Sequence, residues 1–179
     1  MNIQPLISAE ELQTICKKLW SQITKDFEGK RPLVIWILKG CQPFMADLLR
    51  VLALDDLEVS YMKVRSYEGT TSTGELKVQL ESDIEVAGRD VLLVEDIIDT
   101  GKTMKMLTET LLARGPKSVR VVALLDKPSR REVEFSADYV GKEIEDVFVV
   151  GYGMDYDEKY RHLPYVGVAD FFNCKDFWD

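Results

Sequence analysis

Cysteine is scarce in this chain. Cys16, Cys41 and Cys174 are odd in number, far apart and in no C-x-x-C spacing, which excludes a disulfide framework and leaves three free thiols suited to a reducing cytoplasm. Long apolar runs are missing too. The longest, such as LVIWIL at 33–38, is far too short to span a bilayer. The N-terminus MNIQPLISAEEL lacks the basic region and apolar stretch of a secretory signal. Positive charge is in deficit, with 23 Lys+Arg against 31 Asp+Glu and a net charge of −8. That argues against nonspecific nucleic-acid binding, which a basic surface drives. No internal repeat, low-complexity tract or Pro/Ser linker interrupts the chain. What is left is 179 residues, 46% hydrophobic and 30% charged, long enough to bury a core as one globular domain over 1–179.

The hydrophobic pattern alternates between helix and buried strand. Ser8 and Glu11 form a capping box, and Leu12, Ile15, Leu19, Ile23 and Phe27 follow at helical spacing. LVIWILKG reads as a buried strand entering a loop, and 43–53 reads as a helix with Phe44, Leu48, Leu49 and Leu52 inward. Strands are expected at 57–67, 76–80 and 90–94, then a helix over 102–114 stopped by Gly115-Pro116. Further strands are expected at 119–125, 138–141, 147–150 and 165–168. Continuous apolar strands alternating with helices predict an α/β fold, a mostly parallel twisted sheet covered on both faces. Ligands of such sheets lie beyond the carboxyl ends of the strands. That rule selects the loops at Lys39-Gly40, Glu95–Thr103, Asp126-Lys127 and Gly151–Arg161.

The stretch VLLVEDIIDTGKTM, residues 91–104, admits three readings. A nucleotide-triphosphate P-loop needs its first glycine where Asp96 stands, and a carboxylate there would repel phosphates. A solvated strand edge with Thr100 capping the next helix explains the acids but not the crowd of small and hydroxyl residues after them. The third reading divides the labour. Amides and hydroxyls of Asp99, Thr100, Gly101, Lys102 and Thr103, at a helix N-terminus, hold a monophosphate. Glu95 and Asp96 then take a sugar's vicinal diol, directly or through Mg²⁺.

This stretch closely resembles the phosphoribosyl-diphosphate motif of type I phosphoribosyltransferases. ILKG (37–40), RSYEGTTSTGELKV (65–78), LLDKPSRREV (124–133) and FVVGYGMDYDEKYRHLPYVGV (148–168) follow in the order of the hypoxanthine-guanine phosphoribosyltransferase family in its bacterial form. The resemblance covers residues 33 to 168. It implies a purine-salvage transferase that moves the 5-phosphoribosyl group from phosphoribosyl diphosphate to hypoxanthine or guanine, giving IMP or GMP and pyrophosphate. It further implies a small hood built from terminal segments, Mg²⁺, a cytoplasmic location, and a homo-oligomer, dimer or tetramer, with no nucleic-acid or membrane partner.

The resemblance assigns roles residue by residue. Asp99 accepts the purine N7 proton and is the catalytic residue. Lys127 faces purine O6, and an ammonium that only donates favours a 6-keto group. Phe148 stacks on the base, Val149 reads its edge through the backbone, and Asp155 borders it. Lys39, Gly40 and Arg161 bind the diphosphate, with a non-proline cis bond at Leu38-Lys39 or Lys39-Gly40. Glu95, Asp96 and Asp155 hold Mg²⁺, for which one or two carboxylates with substrate oxygens suffice. Ser66 and Tyr67 head a lid over 66–75 that excludes water. His162, the sole histidine, is a neighbour of Arg161. A transcriptional regulator on the same fold would lack Lys127, Asp99, Asp155 and Arg161 or add a DNA-binding domain, whereas an enzyme for xanthine would look the same.

Overall fold

The structure is a computed structural model that describes residues 2–51, 54, 56–64 and 85–170. The 66–75 segment with Ser66 and Tyr67, the strand expected at 76–80 and residues 171–179 lie outside the described residues. The described residues form strands β1 (Asn2–Ile7), β2 (Leu33–Leu38), β3 (Glu58–Lys63), β4 (Asp90–Ile98), β5 (Ser118–Asp126), β6 (Tyr139–Glu143), β7 (Val149–Val150) and β8 (Val166–Asp170). Helices are α1 (Ala9–Asp26), α2 (Gln42–Val51) and α3 (Lys102–Leu112). No described helix is long and apolar enough to cross a membrane.

Five strands make one parallel sheet in the order β3-β2-β4-β5-β6. Period-two alternation sends successive side chains to opposite faces. Val34, Leu92, Val94, Val122 and Leu124 pack with the buried stripes of α1 and α2. Ile35, Leu93, Val121 and Ala123 pack instead with Met104, Leu107 and Leu111 of α3. Both faces are covered, so the strands read as unbroken apolar runs. The capping box expected at Ser8 is realised in part, because its side chain accepts from the Glu11 amide at 3.2 Å.

A second sheet, antiparallel in the order β1-β8-β7, forms the hood. It joins the chain's first described strand to its last, with Asn2 opposite Asp170 and Val149 opposite Val168. The strands expected at 147–150 and 165–168 belong here, and only Val149–Val150 of the first is regular. Gly151 and Gly153, at φ +93° and +98°, then turn the chain away. The strand expected at 138–141 runs on to Glu143, its Leu125-Lys142 and Asp126-Glu143 pairs with β5 carrying it further.

β4 departs from expectation in the same way. It does not end at Val94 but continues through Glu95 and Asp96 to Ile98. β5 supplies partners that far, pairing Ile97 with Leu125 and Ile98 with Asp126. The two acids therefore sit on rigid strand rather than in the loop that follows.

Candidate active site

The carboxyl ends of β2, β4 and β5 and the segment after β7 meet at one end of the sheet. After β4, Gly101 takes a left-handed φ of +82° and serves as N-cap of α3, with no side-chain cap hydrogen bond. Thr100 is thus not the cap. Its Oγ1 instead lies 3.4 Å from the Lys102 amide. A Cβ at Gly101 would crowd the Arg131 side chain, so only glycine fits this turn. Uncapped amides at the head of a helix suit an anion. A cavity of about 130 Å³ opens there, lined by Glu95, Asp99, Thr100, Gly101 and Thr103. The Lys102 side chain turns aside to Glu132. A larger cavity, about 840 Å³ and bordered by Trp20, Lys25, Arg31 and Leu54, holds none of the residues singled out by the sequence.

Glu95 Oε2 is buried without a hydrogen-bond partner. Burial first, and then the charge of Asp96 beside it, pushes the Glu95 carboxyl well above the carboxylate range. Burial also raises Asp96, against the hydrogen bond its Oδ1 accepts from the Ile97 amide at 2.7 Å. An orphaned buried carboxylate oxygen is costly unless a donor or cation meets it. Sugar hydroxyls or a divalent cation both fit that need. No group of three or more His, Cys, Asp or Glu side chains among the described residues forms a metal cage. Mg²⁺ held by one or two carboxylates and substrate oxygens requires none.

Lys127 follows Asp126 at the end of β5, and its amide donates to the Ile98 carbonyl at 2.9 Å. That bond seats Lys127 next to Asp99 on neighbouring strand ends. Lys127 is 7% exposed, rare for a lysine. Two adjacent arginines, whose roles the sequence did not reveal, organise this corner. Arg130 Nε donates to Asp99 Oδ1 at 3.0 Å, while Arg131 reaches both the Asp99 carbonyl and the Asp126 carboxylate. The signal was there in SRR, residues 129–131 just beyond Lys127, yet paired arginines after a strand are ordinarily solvated.

The residues expected to meet the purine, Phe148 and Val149, come from the hood. Phe148 is 45% exposed, and its ring meets Tyr156 edge to face at 5.9 Å. Val149, next in the chain, is buried in β7.

The last corner joins β2 to the segment after β7. The Leu38-Lys39 peptide is cis, the first of the two positions expected. A Cβ on Gly40 would overlap Asp96 Oδ2, and a Cβ on Gly153 would overlap the Gly40 carbonyl. Gly153 thus lies against the Gly40 backbone, and Gly40 against the Asp96 side chain. Asp155 Oδ1 lies 2.8 Å from Arg161, and its Oδ2 accepts from the Glu158 amide at 2.9 Å. Arg161 also donates to the Gly153 carbonyl at 2.8 Å. Tyr152, at φ +48°, pins this segment to the helices. Its hydroxyl donates to Asp47 of α2 at 2.7 Å and lies 3.8 Å from Cys16 of α1. Asp157, Glu158 and Tyr160 also have positive φ, a clustering typical of functional segments. His162 is exposed at the rim.

Comparison with known proteins agrees with this geometry. The family profile described as phosphoribosyl transferase domain matches residues 8–157. Hypoxanthine-guanine phosphoribosyltransferase of Bacillus subtilis (strain 168) is 49% identical over 164 residues, 91% of either chain. The bifunctional protein TilS/HprT of Listeria monocytogenes is equally similar over 91% of this chain, which spans only 25% of that longer relative. A crystal structure of a hypoxanthine-guanine phosphoribosyltransferase from Bacillus anthracis superposes with a TM-score of 0.87 at 42% identity, covering 94% of this chain and all of that one. Sequence motif, sheet order and relatives converge, and the chain belongs to the hypoxanthine-guanine phosphoribosyltransferases.

Proposed function

We propose that the chain transfers the 5-phosphoribosyl group of phosphoribosyl diphosphate to hypoxanthine or guanine, releasing pyrophosphate. One observation carries this reading beyond family membership. The Ile98–Lys127 backbone hydrogen bond sets the buried residue Lys127 at the strand end next to the one that Asp99 follows, beside the phosphate-suited turn. A 6-oxopurine offers O6 to the first group and an N7 proton to the second, and its ribose lies over Glu95 and Asp96.

In this reading Thr100, Gly101, Lys102 and Thr103 hold the 5-phosphate at the head of α3. Lys127 donates to O6, Phe148 stacks on the ring, and the Val149 backbone reads the far edge. As the bond from C1 of the ribose to the diphosphate breaks, positive charge grows on the sugar and Asp99 faces it; purine N9 then bonds C1 and Asp99 takes the N7 proton. Lys39, the Gly40 amide and Arg161 receive the departing diphosphate. Glu95, Asp96 and Asp155 would hold Mg²⁺, which when bound neutralises charge on the diphosphate. Asp155 also borders the purine. The lid role of Ser66 and Tyr67 belongs to the same reading, as do a homo-oligomer and a cytoplasmic setting. An ultraviolet assay of hypoxanthine, guanine, xanthine and adenine with phosphoribosyl diphosphate and Mg²⁺ tests the proposal. Turnover of the first two and none of adenine is expected; adenine turnover would overturn the role of Lys127.

A further inference from the structure

The two cations expected to grip the diphosphate are joined through one carboxylate. Glu158 Oε2 lies 2.9 Å from Lys39 Nζ and 3.3 Å from Arg161 Nη2. The first of these contacts spans 119 residues of sequence. It depends on the left-handed backbone at Asp157, Glu158 and Tyr160, which folds the segment back toward the Lys39 loop. Arg161 nevertheless keeps a buried Nε without a hydrogen-bond partner. Asp155 Oδ1 and the Gly153 carbonyl, each at 2.8 Å, hold Arg161 in place, so the longer contact to Glu158 is the one that links it to Lys39, and a diphosphate carries enough acceptor oxygens for both cations.

We infer that Glu158 is a resident counter-anion of the diphosphate subsite, holding Lys39 and Arg161 when the subsite is empty and yielding them to the incoming diphosphate. This rests on the diphosphate-binding reading given above. Its carboxylate oxygen stands where a diphosphate oxygen would sit. Three consequences follow from competition. Diphosphate binding includes breaking both contacts, and its apparent affinity is lowered by their strength. Release of pyrophosphate is assisted, because Glu158 re-forms the contacts as the product leaves. Between ligands, the two cations stay clustered rather than spreading into solvent.

Calorimetric titration of the full chain with pyrophosphate and Mg²⁺ reads the effect directly. Glu158→Gln removes the charge while keeping length and one acceptor oxygen. It should bind pyrophosphate about two- to five-fold more tightly, the range exposed ion pairs carry when converted to an equilibrium constant. Glu158→Asp, charged but shorter, should fall nearer the parent. In steady state, KM for phosphoribosyl diphosphate should drop in Glu158→Gln while KM for hypoxanthine stays put, a split that general loss of structure would not produce. Thermal melting confirms that each variant is folded before its affinity is compared. Unchanged or weaker pyrophosphate binding in a folded Glu158→Gln would overturn the inference and leave the transferase reading standing. Failure of the parent chain to bind pyrophosphate at all would overturn the diphosphate subsite itself.

Discussion

Asp99 is the residue on which shape and proton chemistry separate most cleanly. Asparagine keeps nearly the same outline and can still meet Arg130, so the turn before α3 should survive Asp99→Asn. The amide cannot take a proton or carry charge opposite the sugar cation. Turnover should fall by at least about a hundredfold with little change in nucleotide affinity, measured by stopped assay and calorimetry. The defect should narrow at high pH, where more of the purine is already an anion. Gly153 makes a different residue-scale prediction. Alanine there must hold a φ of +98° and overlap the Gly40 carbonyl. Urea denaturation of Gly153→Ala should show a loss of about 1–3 kcal/mol, and pyrophosphate affinity should fall as the Lys39-Gly40 loop is pushed off. The places of Asp99 and Lys127 at neighbouring strand ends were legible from the sequence because an apolar run precedes each. The partners were not. Arg130, Glu158 and Tyr152 matter through contacts with residues distant in sequence, and no local pattern advertises such a contact.

Individual elements reveal a second kind of limit. α1, β2, β5 and α3 were visible because one apolar periodicity ran through each. β4 was cut short because Glu95 and Asp96 break the apolar run, although pairing to β5 carries the strand through them. β1 was invisible. It pairs only with β8, is mostly exposed and contains Pro5, so its sequence has no alternation to read. The join between α1 and β6 carries a testable pH dependence. Tyr139 donates to Asp26 at 2.8 Å and accepts from Arg120 at 2.6 Å. Burial pushes the Tyr139 phenol from 10.0 up to about 12. Its folded pKa is raised, so its contribution is complete below the unfolded value and is lost as pH climbs through the folded one. Unfolding free energy measured in urea should therefore decline between pH 10 and about 12, and Tyr139→Phe should flatten that decline. At pH 7 the same variant should lose about 0.5–1.5 kcal/mol, the worth of the missing hydrogen bond.

At the scale of the whole molecule the site is a seam between two sheets. The parallel sheet brings Glu95, Asp96, Asp99 and Lys127; the hood brings Phe148 and Val149 and, through the turn after them, Asp155 and Arg161. A ligand spanning the seam binds only the folded arrangement. GMP at a hundredfold above its dissociation constant should add about 2.7 kcal/mol of stability, seen as a rise in the thermal midpoint. In Lys127→Ala that rise should shrink for GMP but persist for phosphoribosyl diphosphate with Mg²⁺. Equal losses for both would mean that Lys127 supports the corner rather than reads the base. The parallel sheet was legible in outline from its apolar runs. Its division from the hood was legible only through the family resemblance, because strands that pair across nearly the whole chain look locally like any others.

The pairing of β1 with β8 also sets an order of events during biosynthesis. Translation delivers β2 to β6 with their helices while β1 still has no partner, since β8 follows all of them in the chain. The parallel sheet can assemble in the meantime, but the hood cannot, and with it the wall that Phe148 and Val149 provide is incomplete. A nascent chain halted before residue 166 should bury its parallel-sheet core yet fail to retain guanine nucleotide. Competence would arrive after the parallel sheet and in one step, when β8 closes beside β1.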